Sequence, residues 1–300
     1  MSKAAALLFA AAVLAPAAGP LDFARAELDE AIRERKLSPA RFVVRTEYSM
    51  LQPDEGFQIS TTNLIRAGSV RGLVYGLLEA AQQVRNHGRL PAVTGRANVP
   101  LRGVRRTMAE EDWGRGQEWW LDRFAQLARL RMNRFHLMLG RETLTEARVE
   151  VLKMISDAAR DRAIDLVIGL EDPSAEEVMR LLAECEAVRG VYVDAETAAF
   201  ASGPVSTAGR YVVLETTRAV KTAVPVPMRV ALEAGETLPA CDGPCATYTV
   251  FEAGTRAPAN LGGSGFELLG EVSAGWVALG YTVAPVAPAA PRRRTPVRKK

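Results

Sequence analysis

Phe135-His136-Leu137-Met138-Leu139, Ile164-Asp165-Leu166-Val167-Ile168 and Val191-Tyr192-Val193 are three short apolar runs, and the stretches between them, 144–163 and 175–188, carry apolar residues at helical spacing. Short apolar runs with β-branched residues read as buried strands, and strands that alternate with helices read as parallel βα units. Working back from Phe135, a helical pattern over 117–131 and a strand-like stretch around Val104 extend the rhythm to residue 101. The fold class is therefore α/β, with four parallel βα units in residues 101–203.

The flanks have a different texture. Residues 19–100 read as a small α/β domain: a helix over 21–36, short strands around Phe42-Val43-Val44, Phe57-Gln58-Ile59 and Leu64-Ile65, and an amphipathic helix from Val70 to Val84. That helix is expected to turn Leu73, Leu77 and Val84 inward and to leave Glu79 and Arg85 on a solvated face. Residues 204–284 lose helical periodicity and offer only short strand-like runs between turns, which predicts a β-rich segment, either a small sandwich-like module or irregular packing on the βα region. Residues 285–300 are Pro-rich and then basic, the composition of a disordered tail.

Of the 300 residues 48% are hydrophobic and 24% charged, the balance of a folded soluble protein. The net charge is +3. Arg292, Arg293, Arg294, Arg298, Lys299 and Lys300 hold six positive charges, which leaves −3 on the rest. A nucleic-acid-binding face on the globular part is therefore not expected. Lys3, the apolar run Ala4 to Leu14 and Ala15-Pro16-Ala17-Ala18 have the three-part pattern of a secretory signal, which predicts removal of residues 1–18 and a secreted or periplasmic location. The apolar run falls short of the ~20 residues of a membrane span. Cys241 and Cys245 bracket a short loop and can pair in an oxidising compartment, although free thiols are the alternative. His87 and His136 lie in unrelated segments, so neither a metal nor a cofactor is expected.

Pro53-Asp54-Glu55-Gly56-Phe57-Gln58-Ile59 and Arg71-Gly72-Leu73-Val74-Tyr75-Gly76-Leu77-Leu78-Glu79, followed by Leu101-Arg102-Gly103-Val104 and Met132-Asn133-Arg134-Phe135-His136, resemble family 20 β-N-acetylhexosaminidases and family 67 α-glucuronidases. The resemblance covers about residues 40–200. It implies a non-catalytic support domain followed by the start of a catalytic TIM-type (β/α) barrel, expected to be incomplete because a full barrel takes about 250 residues and the βα rhythm covers only residues 101–203, and a carbohydrate of the N-acetylhexosaminide or glucuronide class as substrate or ligand. It also implies that Arg102, near the start of the first barrel strand, binds sugar hydroxyls.

Chemistry in such barrels gathers where strands end and loops begin. Asp194-Ala195-Glu196 follows the fourth strand, and residues two apart on an extended chain project to one side. Asp194 and Glu196 are therefore the candidate acid/base pair, and Asp112 with Trp113, in the loop after the first strand, the candidate sugar contacts. His136, inside an apolar strand, is expected as a satisfied core histidine. A glycosidase and a non-catalytic carbohydrate-binding relative are both open at this stage.

Overall fold

The computed structural model describes residues 19–286 except 141–143, 209–210, 219–221, 223–225, 237–244, 253, 260 and 262–264. The expected signal segment, the basic tail and Cys241 lie outside the described residues.

The support domain is a five-stranded sheet. Helix α1 (Pro20–Glu34) packs on α2 (Val70–His87), and α2 lies across β1 (Arg45–Tyr48), β2 (Phe57–Ile59) and β3 (Leu64–Ala67). α2 starts where the Ser69 hydroxyl accepts from the Gly72 N–H at 3.1 Å and stops at Gly88, whose φ of 63° suits a residue without Cβ. Leu73, Leu77 and Val84 are buried as the periodicity predicts. Glu79 corrects the expectation of a solvated face: it is buried and bound to Arg131 at 3.0 Å. Arg85 instead reaches Glu27 and Glu34 on α1. Phe42 sits in a 3-10 turn, and the strand begins only at Arg45. The sheet order is β1-β3-β2-β4-β13, where β4 is Val93–Ala97 and β13 is Tyr281–Pro285. The chain's last strand thus returns to the first domain.

The barrel is closed. β5 (Leu101–Thr107), β6 (Arg134–Met138), β7 (Asp165–Gly169), β8 (Val188–Tyr192), β9 (Val213–Thr216), β10 (Met228–Glu233), β11 (Cys245–Glu252) and β12 (Gly265–Leu269) pair in parallel, and β12 pairs back onto β5. Helices α3 (Gln117–Arg129), α4 (Glu146–Arg160), α5 (Ala175–Glu184) and α6 (Ala198–Thr207) link the first five strands. The expectation of four strands and a separate β-rich segment over 204–284 is corrected accordingly. Among the described residues no helix lies between β9 and β12, and each connection there is about a dozen residues, close to the shortest that returns a chain to a parallel neighbour. The sequence over those strands carries no helical periodicity, so it shows no α/β rhythm. α7 (Ala274–Gly280) follows β12 and leads into β13.

Barrel and support domain meet over Glu55, which is buried at the floor of the barrel. Its carboxylate binds Arg102, Arg71 at 2.9 Å and Asn133 at 2.9 Å, and its carbonyl accepts from the Tyr281 hydroxyl at 2.8 Å. Arg71 continues to Asp165 at 2.6 Å, at the start of β7. Burial pushes the Glu55 carboxyl up, but Arg102 and Arg71 outweigh it and hold the group below the ordinary range.

The barrel interior is charged. On β6, Arg134 faces inward and spans two carboxylates, Glu215 of β9 through both terminal nitrogens and Glu267 of β12 through Nε. Arg105 reaches Glu267 at 2.9 Å and the Tyr248 hydroxyl at 3.0 Å, and Tyr248 donates to Glu215 at 3.1 Å. Gly103 and Gly190 leave room for this cluster. A Cβ on Gly103 would stand 3.0 Å from the Glu267 side chain, and one on Gly190 would stand 2.9 Å from Glu215 Oε1. Interiors of such barrels are usually filled by branched aliphatic residues; in this one the ion cluster shares the interior with Leu101, Val167, Tyr192 and Ala231.

Candidate functional site

Because β5 to β12 run parallel, their C-terminal ends collect on one face of the barrel, opposite the support domain. A pocket of about 340 Å³ opens there, lined by Thr107, Met138, Gly140, Leu170, Glu171, Tyr192, Asp194 and Thr217. Thr107, Met138, Gly169 and Tyr192 are register partners across four strands, so the floor is one continuous rung of the ladder. Leu170, Glu171 and Asp194 rise from the loops just beyond it. The floor is apolar and the wall carries two carboxylates, a surface suited to a ring with one apolar face and a polar edge.

Asp194 lies where the sequence places it, at the end of the fourth strand. Its Oδ1 accepts from the backbone N–H of Thr197 at 2.7 Å, from that of Glu196 at 2.8 Å and from the Thr197 hydroxyl at 2.8 Å. The Thr197 N–H, more than the small cost of desolvation, holds the carboxyl below its usual 3.8 and keeps it ionised at neutral pH. These bonds turn the chain sharply at residue 194, so the extended geometry that would align Glu196 with Asp194 ends before it begins. Glu196 is exposed and does not line the pocket.

Asp112 is fully buried and held by Arg106 at 2.6 Å, Arg115 at 2.8 Å and the Ala109 N–H at 3.0 Å, which makes it the clamp of its own loop. Trp113 is half-buried under the Arg148 guanidinium, 5.0 Å from the ring centre. Neither lines the pocket. Arg102 is corrected as a sugar contact. It sits at the N-terminal end of β5 with no exposed surface, bound to Glu55, to the Arg131 carbonyl at 2.8 Å and to the Val99 carbonyl at 2.6 Å. The whole height of the barrel separates it from the mouth.

Sequence reasoning missed Glu171. The rule that singled out Asp194 also reaches it, since Glu171 stands two residues beyond the end of β7 as Asp194 stands two beyond the end of β8. Among the described residues His136, Glu215 and Glu267 bring three ligand-type atoms within 4.8 Å of one another. Arg134 and Arg105 already neutralise both carboxylates and would repel a cation, so the donor set does not fit a metal. Also among the described residues, no helix is long and apolar enough to cross a membrane.

No family model matches the sequence, and no curated protein does. The fold has counterparts among solved structures. A GH138 enzyme targeting pectin rhamnogalacturonan II superposes with a TM-score of 0.55 at 13% identity over 76% of this chain and 40% of its own. A glycoside hydrolase family 20 β-N-acetylglucosaminidase gives 0.54 at 12% identity over 77% and 71%. The family 20 exo-β-N-acetylglucosaminidase of Vibrio harveyi, solved with N-acetylglucosamine, gives 0.52 at 10% identity over 79% and 56%. The chain has a glycoside-hydrolase-like fold, and it spans about half the length of the first and third of these enzymes.

Proposed function

We propose that the chain is an exported glycoside-hydrolase-like protein that takes a carbohydrate of the N-acetylhexosaminide or glucuronide class in the barrel-mouth pocket. The observation that carries the reading is the pairing of Glu171 and Asp194 over an apolar floor at the C-terminal ends of adjacent parallel strands. Asp194, ionised and fixed by three hydrogen bonds, has the role of the carboxylate that steadies developing positive charge or orients the reacting group. Glu171, on the neighbouring loop, is the proton donor. The leader over residues 1–18 supports a secreted or periplasmic location.

One observation favours a second reading, a non-catalytic carbohydrate-binding relative: the bonds on Asp194 Oδ1 serve the turn before helix α6 as much as they serve a ligand. Hydrolysis of aryl N-acetylhexosaminides and aryl glucuronides by the purified chain separates the two. The enzymatic reading expects turnover, lost by about 10²–10⁴-fold in Glu171→Gln, since a general acid is worth that much, with sugar binding retained. Turnover unchanged in that variant refutes the assignment of Glu171. No turnover in the parent, with sugar still bound, establishes the non-catalytic reading.

A further inference from the structure

β6 points Arg134, His136 and Met138 into the barrel on successive rungs, which places the imidazole directly beneath the thioether that floors the pocket. His136 Nδ1 lies 3.1 Å from Glu267 Oε2. Glu267 also accepts from Arg134 and Arg105, and although burial alone would raise its pKa, those partners keep it ionised, so it can only accept. The proton of a neutral imidazole must therefore sit on Nδ1, which leaves a lone pair on Nε2. Burial, with Arg105 and Arg134 adding to it, outweighs Glu267 and Glu215 and keeps the ring neutral.

That lone pair has no hydrogen-bond partner in the protein, although the side chain is fully buried. A buried acceptor left without a donor forfeits the hydrogen bond it would make to water. What closes over it is small and movable. A Cβ on Gly169 would meet Met138 Sδ at 2.3 Å and His136 Nε2 at 3.1 Å, so the thioether and the imidazole edge share the space above this one glycine. The Tyr192 ring, 5.0 Å from the imidazole, forms the other side of the cover and also lines the pocket. An unbranched methionine with three rotatable bonds swings aside at little cost.

We propose that His136 Nε2 is the acceptor for a ligand hydroxyl at the floor of the barrel-mouth pocket and that the Met138 side chain is its removable cover. The inference rests on the reading of the mouth as the carbohydrate site, and it makes that site selective. The floor takes a hydrogen-bond donor, so a hydroxyl enters and a carboxylate, which has no proton to give, does not.

The test is nuclear magnetic resonance on the full chain with ¹⁵N-histidine and methyl-labelled methionine, titrated with N-acetylglucosamine and with glucuronic acid. The free protein is expected to show His136 as the Nδ1-protonated tautomer. A sugar that shifts the Met138 methyl is expected to shift His136 Nε2 with it and to leave His87 unmoved. Met138→Ala is expected to expose His136 to carbethoxylation that the parent resists, with His87 as the internal control. An Nε2-protonated tautomer overturns the proposal. So does a sugar that moves the Met138 methyl without moving Nε2, while the mouth-pocket reading stands. If neither sugar moves either group, the mouth-pocket reading fails and takes this inference with it.

Discussion

Replacing Arg134 with methionine is expected to destabilise the protein by about 3–5 kcal/mol, because it strips the shared cation from two buried carboxylates and leaves their charge uncompensated. A domain typically has only ~5–15 kcal/mol in hand, so the loss is a large fraction of the whole. Glu215 would keep the Tyr248 hydroxyl at 3.1 Å and Arg229 at 3.4 Å, and Glu267 would keep Arg105 at 2.9 Å. None of these replaces a guanidinium bound to both.

The pH dependence has a definite sign. In the parent, desolvation raises both carboxyls, yet Arg134 outweighs it and holds them below their ordinary 4.5. Groups depressed in this way contribute stability that is present above the unfolded-state pKa and lost as the pH falls through the folded one. The variant lacks that contribution, so the gap between the two proteins is widest near neutral pH and narrows below about pH 4.5. Urea midpoints at several pH values measure it. A deficit that stays under 1 kcal/mol at neutral pH would show that packing, and not the ion cluster, holds the barrel.

Arg102→Met carries the second large effect, again about 3–5 kcal/mol, through Glu55. Arg102 is wholly buried and contributes a guanidinium to the junction of barrel and support domain, alongside Arg71, Asn133 and Tyr281. Its removal is expected to lower thermal stability and to leave sugar binding per folded molecule unchanged. This outcome separates a structural arginine from a sugar-binding one. Weakened binding with undiminished stability would return Arg102 to the role that family resemblance implies.

The strands and helices between residues 101 and 203 were legible because they alternate with strong periodicity, and α2 because its buried face repeats every three to four residues. The closure of the barrel was hidden for a physical reason. β9 to β12 are joined without helices among the described residues, and parallel pairing leaves no mark in a sequence unless helices punctuate it. Glu215 and Glu267 lie on or beside short strand-like runs that read as part of a separate β-rich segment, so nothing in the sequence set their carboxylates against the interior face of β6. Asp194 was legible from its place at a strand end. Glu196 was misplaced because side-chain alternation holds only while the chain stays extended, and the Asp194 carboxylate bends it at that residue.

The proposed function requires a sugar to bind at the mouth of the barrel. Calorimetric titration of the parent and of Thr107→Trp with N-acetylglucosamine and glucuronic acid tests it most directly, because Thr107 lies at the exposed end of β5 at the edge of the pocket floor, where an indole fills the space without entering the core. Saturable binding to the parent that disappears in a folded Thr107→Trp protein is the predicted result. Equal binding by both proteins would place the sugar elsewhere and contradict the account.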